Sequence, residues 1–404
     1  MRLHRPLLSA LSAACIDIFR DGKYADKAVE RLLKSNPKWG SRDRAFLAEN
    51  TYEIVRWKRL LEALDGPSPL ADEQHFFRLA GVNLILKNVE LPDWEEFSGL
   101  DPTAIFNKKK SLAIDRRIAQ SIPDWLDEVG TAELGDQWEA ELAALNQTAS
   151  VVLRANTLKT TAQELQKLLA AEGWESENTP LAQDALVLQK RGNIFQSPLF
   201  KKGCFELQDA GSQCIAPFLQ VEPGMRVVDA CAGAGGKSLH LAALMENKGS
   251  IIALDTEAWK LTELQKRARR NGVHIIQARP IESTKTIKRL HNTADRLLLD
   301  VPCSGLGVLR RNPDAKWKLS QEFLDRVRGM QAEIIRAYSK IVRPGGKMVY
   351  ATCSILPSEN ERQVELFLAE NKAFVQLDER HISPSGQGFD GFYMALMERT
   401  RVYS

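Results

Sequence analysis

An α/β fold with a doubly wound parallel sheet, preceded by an all-helical domain and a small α+β module, is the architecture this sequence predicts. Three observations point to it. From about residue 206, short apolar runs alternate with amphipathic stretches, as strands and crossover helices do in a parallel sheet. Before residue 145, apolar residues recur at helical spacing almost throughout. Between 146 and 205, a strand–helix–strand texture belongs to neither pattern. The expected domains are 1–145, 146–205 and 206–404. A chain of 404 residues, 44% hydrophobic and 26% charged, carries enough apolar material for two or three cores.

Composition also excludes. No run approaches 18 consecutive apolar residues, so a membrane span is not expected and the expected setting is cytoplasmic. The six cysteines (15, 204, 214, 231, 303 and 353) are widely spaced with no CxxC pair, against a disulfide framework or zinc ribbon and in favour of a reduced compartment. No metal site is expected. The net charge of +3 is unevenly laid out: residues 1–60 hold 13 Lys and Arg against 7 Asp and Glu, residues 61–150 hold 7 against 17, and residues 151–404 hold 35 against 28. Such a layout steers an anionic partner to selected faces.

Along the chain, the opening Pro6-Leu-Leu-Ser-Ala-Leu-Ser-Ala-Ala-Cys15 imitates a signal peptide. Its apolar period runs on through Ile16, Ile18 and Phe19, so it reads as a helix of the mature fold. Further helical spacing appears in Ala28-Val29-Leu32-Leu33 and in Phe46-Leu47-Tyr52-Ile54-Val55, the latter opened at Ser41. Pro67, Pro69, Pro102 and Pro123 punctuate the region. A bundle that merely packs on its neighbour is the plainer reading; RNA docking through Arg42, Arg44, Arg56, Lys58 and Arg59 is the sharper one. In the module, Val151–Ala155 and Ala185–Leu188 read as strands and Thr161–Ala171 as a helix. In the last domain the expected strands are 226–230, 250–254, 274–277, 296–299 and 347–351. Pro223-Gly224 and Arg343-Pro-Gly-Gly346 are turns ahead of strands, and a helix begins at Ser320.

The first of these strands runs into Asp229-Ala-Cys-Ala-Gly233-Ala-Gly235-Gly236-Lys237-Ser238. Glycines let backbone approach a ligand, and the following helix turns its positive end toward it. A phosphate-binding P-loop needs glycine five positions before Gly236, where Cys231 stands. A dinucleotide loop needs a third glycine where Ser238 stands. What survives is Asp255 at the second strand's end, a carboxylate suited to ribose hydroxyls. A glycine loop with a ribose acid and no phosphate cradle suits S-adenosylmethionine, against the plainer reading of a tight strand–helix turn.

The fourth strand ends in Asp300-Val-Pro-Cys303-Ser and the fifth in Thr352-Cys353-Ser354. Open α/β sheets bind ligands beyond the carboxyl ends of their strands, so Cys303 and Cys353 would face one pocket, with Cys231 and Asp300 at the same edge. A lone cysteine is most often a small buried apolar residue, and Cys15, Cys204 and Cys214 are read so. Two on adjacent tips, beside an acid and Lys237, read as thiols able to attack an electron-poor ring carbon. A redox pair is the competing reading and leaves the glycine loop unexplained.

These residues resemble the Sun (Fmu) family of RNA 5-methylcytosine methyltransferases, in its bacterial 16S ribosomal RNA branch. The strings that carry the likeness are 300–317 (Asp-Val-Pro-Cys-Ser-Gly-Leu-Gly-Val-Leu-Arg-Arg-Asn-Pro-Asp-Ala-Lys-Trp), Thr352-Cys-Ser-Ile-Leu-Pro-Ser-Glu-Asn-Glu361 and Gln208-Asp-Ala-Gly-Ser-Gln213, supported by 153–159 and 390–393. The resemblance implies a Rossmann-like catalytic domain and a NusB-like, RNA-binding helical domain. It implies that Cys353 is the nucleophile at cytosine carbon 6, that Asp300 holds the base edge at nitrogen 3, and that Cys303 helps to break the adduct. It also implies that Cys231, Ala232, Gly233, Ala234, Gly235, Gly236, Lys237, Asp255 and Asp300 serve S-adenosylmethionine.

Two departures stand out. Gly233-Ala234 replaces the family's usual Ala-Pro, and the third strand, near Gln277-Ala-Arg279-Pro-Ile-Glu282, lacks the usual acid for the adenosine, leaving Glu282 as a substitute. Lys266-Arg-Ala-Arg-Arg270 and Arg310-Arg311 are candidate phosphate contacts, the latter favoured because it follows the Cys303 loop. The expected protein is therefore a monomeric RNA cytosine-5 methyltransferase using S-adenosylmethionine on 16S ribosomal RNA. The alternatives are transfer RNA as substrate, a catalytically weak RNA-binding assembly factor, and a methyltransferase acting on an exocyclic nitrogen.

Overall fold

The computed structural model describes residues 3–66 and 71–401; Pro67 and Pro69 fall outside them. The chain forms two compact units: Met1–Gln147 with Leu309–Gln321, and Thr148–Val308 with Glu322–Ser404.

The first unit is helical. Helices Arg5–Phe19, Ala25–Ser35, Ser41–Asp65 and Glu73–Leu86 bury Leu8, Leu11, Leu47, Ile54, Leu61, Phe76 and Leu79 in one core. Local chemistry sets their ends: Asp72 accepts the His75 N–H, and Asp101 accepts the Thr103 N–H at the start of Pro102–Leu112. The segment that imitates a signal peptide is the first helix, with Leu7, Leu8, Leu11, Cys15 and Ile18 on its buried face.

Four of the five cations proposed for RNA docking are spent inside this unit. The Arg44 guanidinium donates to the Leu33, Trp39 and Asn36 carbonyls, satisfying the acceptors that a helix end leaves over. Arg56 is buried, Lys58 pairs with Glu62, and Arg59 bonds the Ile122 carbonyl and Asp124. Arg42 alone of the five is exposed.

The segment Leu309–Gln321 lies within the same unit although it follows the Cys303 loop in sequence. Lys316 is 1% exposed and its Nζ donates to the Arg56 carbonyl (2.8 Å) and Asn146 Oδ1 (3.2 Å). Burial, then the Arg56 charge, push its pKa well below the usual lysine range. Trp317 Nε1 donates to the Val55 carbonyl, Asp314 accepts the Ala25 N–H, and Arg56 donates to the Arg310 carbonyl. Arg310 is buried within this unit, so the expectation that it meets phosphate does not hold for it.

The second unit holds two sheets. Strands β1 Val152–Ala155, β2 Ser176–Thr179, β3 Ala182–Leu188 and β4 Phe205–Leu207 form an antiparallel sheet in the order β2-β3-β1-β4. Helix Ala162–Ala171 follows β1 behind a Thr161/Glu164 capping box and packs Leu165 and Leu169 against Leu153 and Phe205. Strands β5 Arg226–Asp229, β6 Ser250–Asp255, β7 Ile276–Pro280, β8 Ala294–Asp300, β9 Val342–Thr352, β10 Phe374–Ile382 and β11 Phe392–Arg399 form the second, in the order β10-β11-β9-β8-β5-β6-β7.

The first five strands of this sheet are parallel, while β11 runs antiparallel to both β9 and β10. The sheet is thus mixed rather than wholly parallel. The edge strand β10 buries only its two end residues, so no apolar pattern announces it. β9 starts at Val342, earlier than expected. Between Ala294↔Val342 and Arg296↔Lys347 its partner advances two residues while β9 advances five, so the Arg343–Gly346 turn is absorbed as a bulge. Strand order reverses between β5 and β8, which places a crevice at their carboxyl tips.

Trp138 is fully buried in the helical unit, its Nε1 donating to Asp127 Oδ1 at 2.8 Å, with Gly130 against its ring face. Trp138→Ala removes that packing and leaves a buried acceptor short of a donor. It should cost about 3–5 kcal/mol in urea unfolding followed by circular dichroism.

Candidate active site

At the switch point, β5 runs into the turn 230–235 and then helix Gly236–Leu244. Gly235 is left-handed (φ +85°), and any side chain there would collide with Leu264. Gly233 (φ +53°) faces open space and gives its N–H to Asp255 Oδ2 at 2.8 Å. The other oxygen, Oδ1, accepts the Glu257 N–H at 2.8 Å. Asp255 at the tip of β6 thereby ties the loop to the neighbouring strand.

The loop is also held from the antiparallel sheet. Arg154 on β1 donates to the Gly236 carbonyl at 2.7 Å and to Gln208. Arg267 donates to the Ala234 carbonyl (2.8 Å) and to Glu206 on β4 (3.0 Å), and Arg270 pairs with Glu206 as well. Arg267 and Arg270 are therefore internal braces, not phosphate contacts. Their helix turns them inward because Glu206, 3% exposed, requires cations.

Asp229, at the end of β5, is 1% exposed and accepts the Ser238 hydroxyl at 2.6 Å. Burial pushes its pKa up to about 7, against the Ser238 hydrogen bond.

Parallel pairing of β8 with β9 sets Asp300 opposite Ala351, and the chains beyond those tips bring Cys303 Sγ to 3.2 Å from Cys353 Sγ. Lys237 Nζ lies 2.5 Å from Asp300 Oδ2 and 5.7 Å from the Phe392 ring centroid. Burial works against the Lys237 ammonium, but Asp300 and then Cys353 hold its pKa above the ordinary lysine value. The Cys303 thiol is pushed well up by its bond to Cys353, by burial and by the Glu359 charge. Cys231 sits half-buried in the glycine loop, its thiol raised by burial and by Asp229, Asp300 and Asp255.

Backbone locks the two cysteine loops together. The Gly307 N–H donates to the Cys353 carbonyl (2.9 Å), and the Gly391 N–H donates to the Gly307 carbonyl (2.8 Å). Asp209 accepts the Gly211 and Asp390 N–H groups, which accounts for the strings at 208–213 and 390–393.

The structure thus gathers Lys237, Asp300, Cys303 and Cys353 at one edge, with 231–236 and Asp255 adjoining. It leaves Cys15 in the helical core, and Cys214 Sγ against the Leu181 and Ala210 carbonyls. Glu282 is exposed in the loop after β7. Among the described residues no group of three or more His, Cys, Asp or Glu is arranged to hold a metal, and no helix is long and apolar enough to cross a membrane. Sequence reasoning passed over Glu359, Ser304, Ser354 and Gln331, which are buried around the cysteine loops.

A profile described as 16S rRNA methyltransferase RsmB/F matches residues 216–398, and one described as its ferredoxin-like domain matches 122–195. A protein of Synechocystis sp. described as a probable ribosomal RNA small subunit methyltransferase B is 31% identical over 92% of this chain and 91% of its own. One of Bacillus subtilis with the same description is 34% identical over 69% of this chain and 65% of its own. The crystal structure of PH0851 superposes with a TM-score of 0.82 at 25% identity, covering 99% of this chain and all of that one. A sheet reversing beside a glycine loop and closed by an antiparallel edge pair is the Rossmann-like methyltransferase class. Within that class, this chain belongs to the 16S rRNA methyltransferase RsmB/F family.

Two predictions follow from the packing. Gly307→Ala drives a methyl group into the Gly391 carbonyl and against that of Cys353, so the cysteine loops must part. Methyl transfer should fall by about 100-fold, the scale of a 1 Å misplacement, in a radiolabelled methyl assay. For Asp229, the folded carboxyl keeps its proton to about pH 7 while the unfolded chain releases it near the ordinary aspartate value of 3.8. The native state binds more protons between those values, so this group's contribution to stability falls as pH rises through them. Asp229→Asn should flatten that slope, by a few kcal/mol in all, in urea melts at stepped pH.

Proposed function

We propose that the chain transfers a methyl group from S-adenosylmethionine to carbon 5 of a cytosine in 16S ribosomal RNA through a covalent cysteine adduct. The observation that carries this reading is the pair of thiols 3.2 Å apart, with the Lys237–Asp300 ion pair on the Cys353 side. The glycine loop fits the nucleoside cofactor. Gly233 faces open space at positive φ, and each oxygen of Asp255 spends one lone pair on a backbone amide and keeps another for a ribose hydroxyl. When bound there, S-adenosylmethionine supplies an electrophilic methyl group.

Cys353 forms the bond to carbon 6 through its sulfur, with the Lys237 ammonium on its side of the pair. Asp300 holds the base edge at nitrogen 3, where charge builds on addition, and Lys237 supplies the positive field behind it. Cys303, protonated during the attack, gives its proton to solvent and then takes the proton from carbon 5; the carbon 6–sulfur pair returns to Cys353 and the ring is restored. The cytosine leaves its stack to reach these tips, at a cost of about a few kcal/mol.

Cys303→Ala and Cys353→Ala proteins, incubated with cellular RNA and S-adenosylmethionine, separate these roles on a denaturing gel. Cys303→Ala should accumulate a protein–RNA band and Cys353→Ala should not. The reverse pattern exchanges the two thiols. No band from either variant, with no methyl transfer by the unaltered protein, replaces the enzyme with an RNA-binding assembly factor. Sequencing the methylated RNA decides between ribosomal and transfer RNA.

A further inference from the structure

We propose that Glu359 is a positioning residue for the two cysteines: its buried carboxylate holds both strand-tip loops in register and marks Cys303 as the thiol that stays protonated while Cys353 attacks. This rests on the adduct mechanism above. Glu359 is 0% exposed. Its Oε2 accepts the Ser304 hydroxyl and the Ser354 hydroxyl, each at 2.5 Å. Its Oε1 accepts the Ser304 N–H at 2.8 Å and Gln331 Nε2 at 3.0 Å. Four donors thus fill the carboxylate, and three of them come from Ser304 and Ser354, the residues that directly follow Cys303 and Cys353.

The surroundings reinforce the bracket. Gln331 also donates to the Pro302 carbonyl (2.9 Å), just ahead of Cys303. Tyr350 donates its hydroxyl to the Glu359 carbonyl (2.7 Å), and Asn360 joins the Thr352 hydroxyl to the Ser354 carbonyl. A carboxylate accepts from all sides, whereas an amide in its place would point an NH₂ group at one pair of donors. A neutral amide would have to reverse the two serine hydroxyl bonds.

The bracket is also electrically lopsided. Cys303 is faced by Cys353, by Glu359 and by the Tyr350 hydroxyl, and its thiol is pushed up by Cys353 and burial with Glu359 adding to them. Cys353 is faced by Cys303 and by the Lys237 ammonium, itself bonded to Asp300. An anion beside one thiol and a cation beside the other tells apart two sulfurs that share a hydrogen bond.

The test uses Glu359→Gln, Glu359→Asp and Ser354→Ala in the full chain, with two readouts. Iodoacetamide labelling across pH, resolved per cysteine by peptide mass spectrometry, reports each thiol's ionisation without need of turnover. Steady-state methyl transfer reports kcat and KM. Glu359→Gln should lower the Cys303 labelling midpoint by about one pH unit. It should leave the Cys353 midpoint in place and cut kcat about 100-fold at unchanged KM. Glu359→Asp keeps the charge but not the reach, so its Cys303 midpoint should stay near that of the unaltered protein while kcat falls. Ser354→Ala, which removes one strut and is the milder change should Glu359→Gln not fold, should lower kcat and leave the Cys303 midpoint unmoved.

A Cys303 midpoint unshifted in folded Glu359→Gln, or full kcat in both Glu359→Gln and Ser354→Ala, overturns the proposal. Labelling does not depend on RNA chemistry. A Cys303→Ala protein that traps no adduct therefore refutes the mechanism while the labelling result still judges Glu359.

Discussion

The β8–β9 pairing is the constraint on which the site depends. These strands are far apart in sequence, and parallel hydrogen bonding fixes Asp300 against Ala351. From that register only two residues separate Asp300 from Cys303, and one separates Ala351 from Cys353. The sulfurs can therefore meet only if both tips turn the same way. Backbone bonds among Cys353, Gly307 and Gly391, and the buried Glu359, hold that turn in place. The Lys237–Asp300 pair then links the thiols to the glycine loop, so that one sheet edge carries the ion pair, both sulfurs and the loop amides.

Much of this edge is legible in the sequence because strand tips and glycine loops have local signatures. The five parallel strands, Asp255 and the adjacency of the two cysteines all rest on short apolar runs ending in a polar residue. Glu359 is illegible for the opposite reason. Nothing local distinguishes a buried, fully satisfied glutamate from a solvated one; the difference lies in Ser304 and Gln331, which arrive from other elements. β10 is hidden likewise, since an edge strand with an exposed middle has no apolar rhythm.

Charge was the least trustworthy guide. Arg44, Arg56, Arg267, Arg270 and Lys316 form basic-looking sequence, yet each serves carbonyls or a buried carboxylate. A guanidinium can satisfy several leftover acceptors at once, and helix ends and tight loops are rich in them. Counting such residues as surface overstates the attraction for a polyanion and misplaces it. The antiparallel sheet shows the same economy. Its β1 arginine and β4 glutamate reach into the glycine loop, so that the small module is part of the catalytic scaffold rather than an appendage.

The segment Leu309–Gln321 has a consequence for how this chain can be cut or shuffled. The polypeptide leaves the larger unit at Val308, folds with the helices through Gln321 and returns at Glu322. A unit built from two separated stretches cannot be removed by trimming one terminus. Without residues 1–147, Lys316 loses its acceptors and Trp317 and Asp314 lose their partners, in a segment that starts six residues downstream of Cys303. The helical region is therefore inherited with the catalytic one: recombination that grafts either onto a new partner must carry both pieces or rebuild the 309–321 segment.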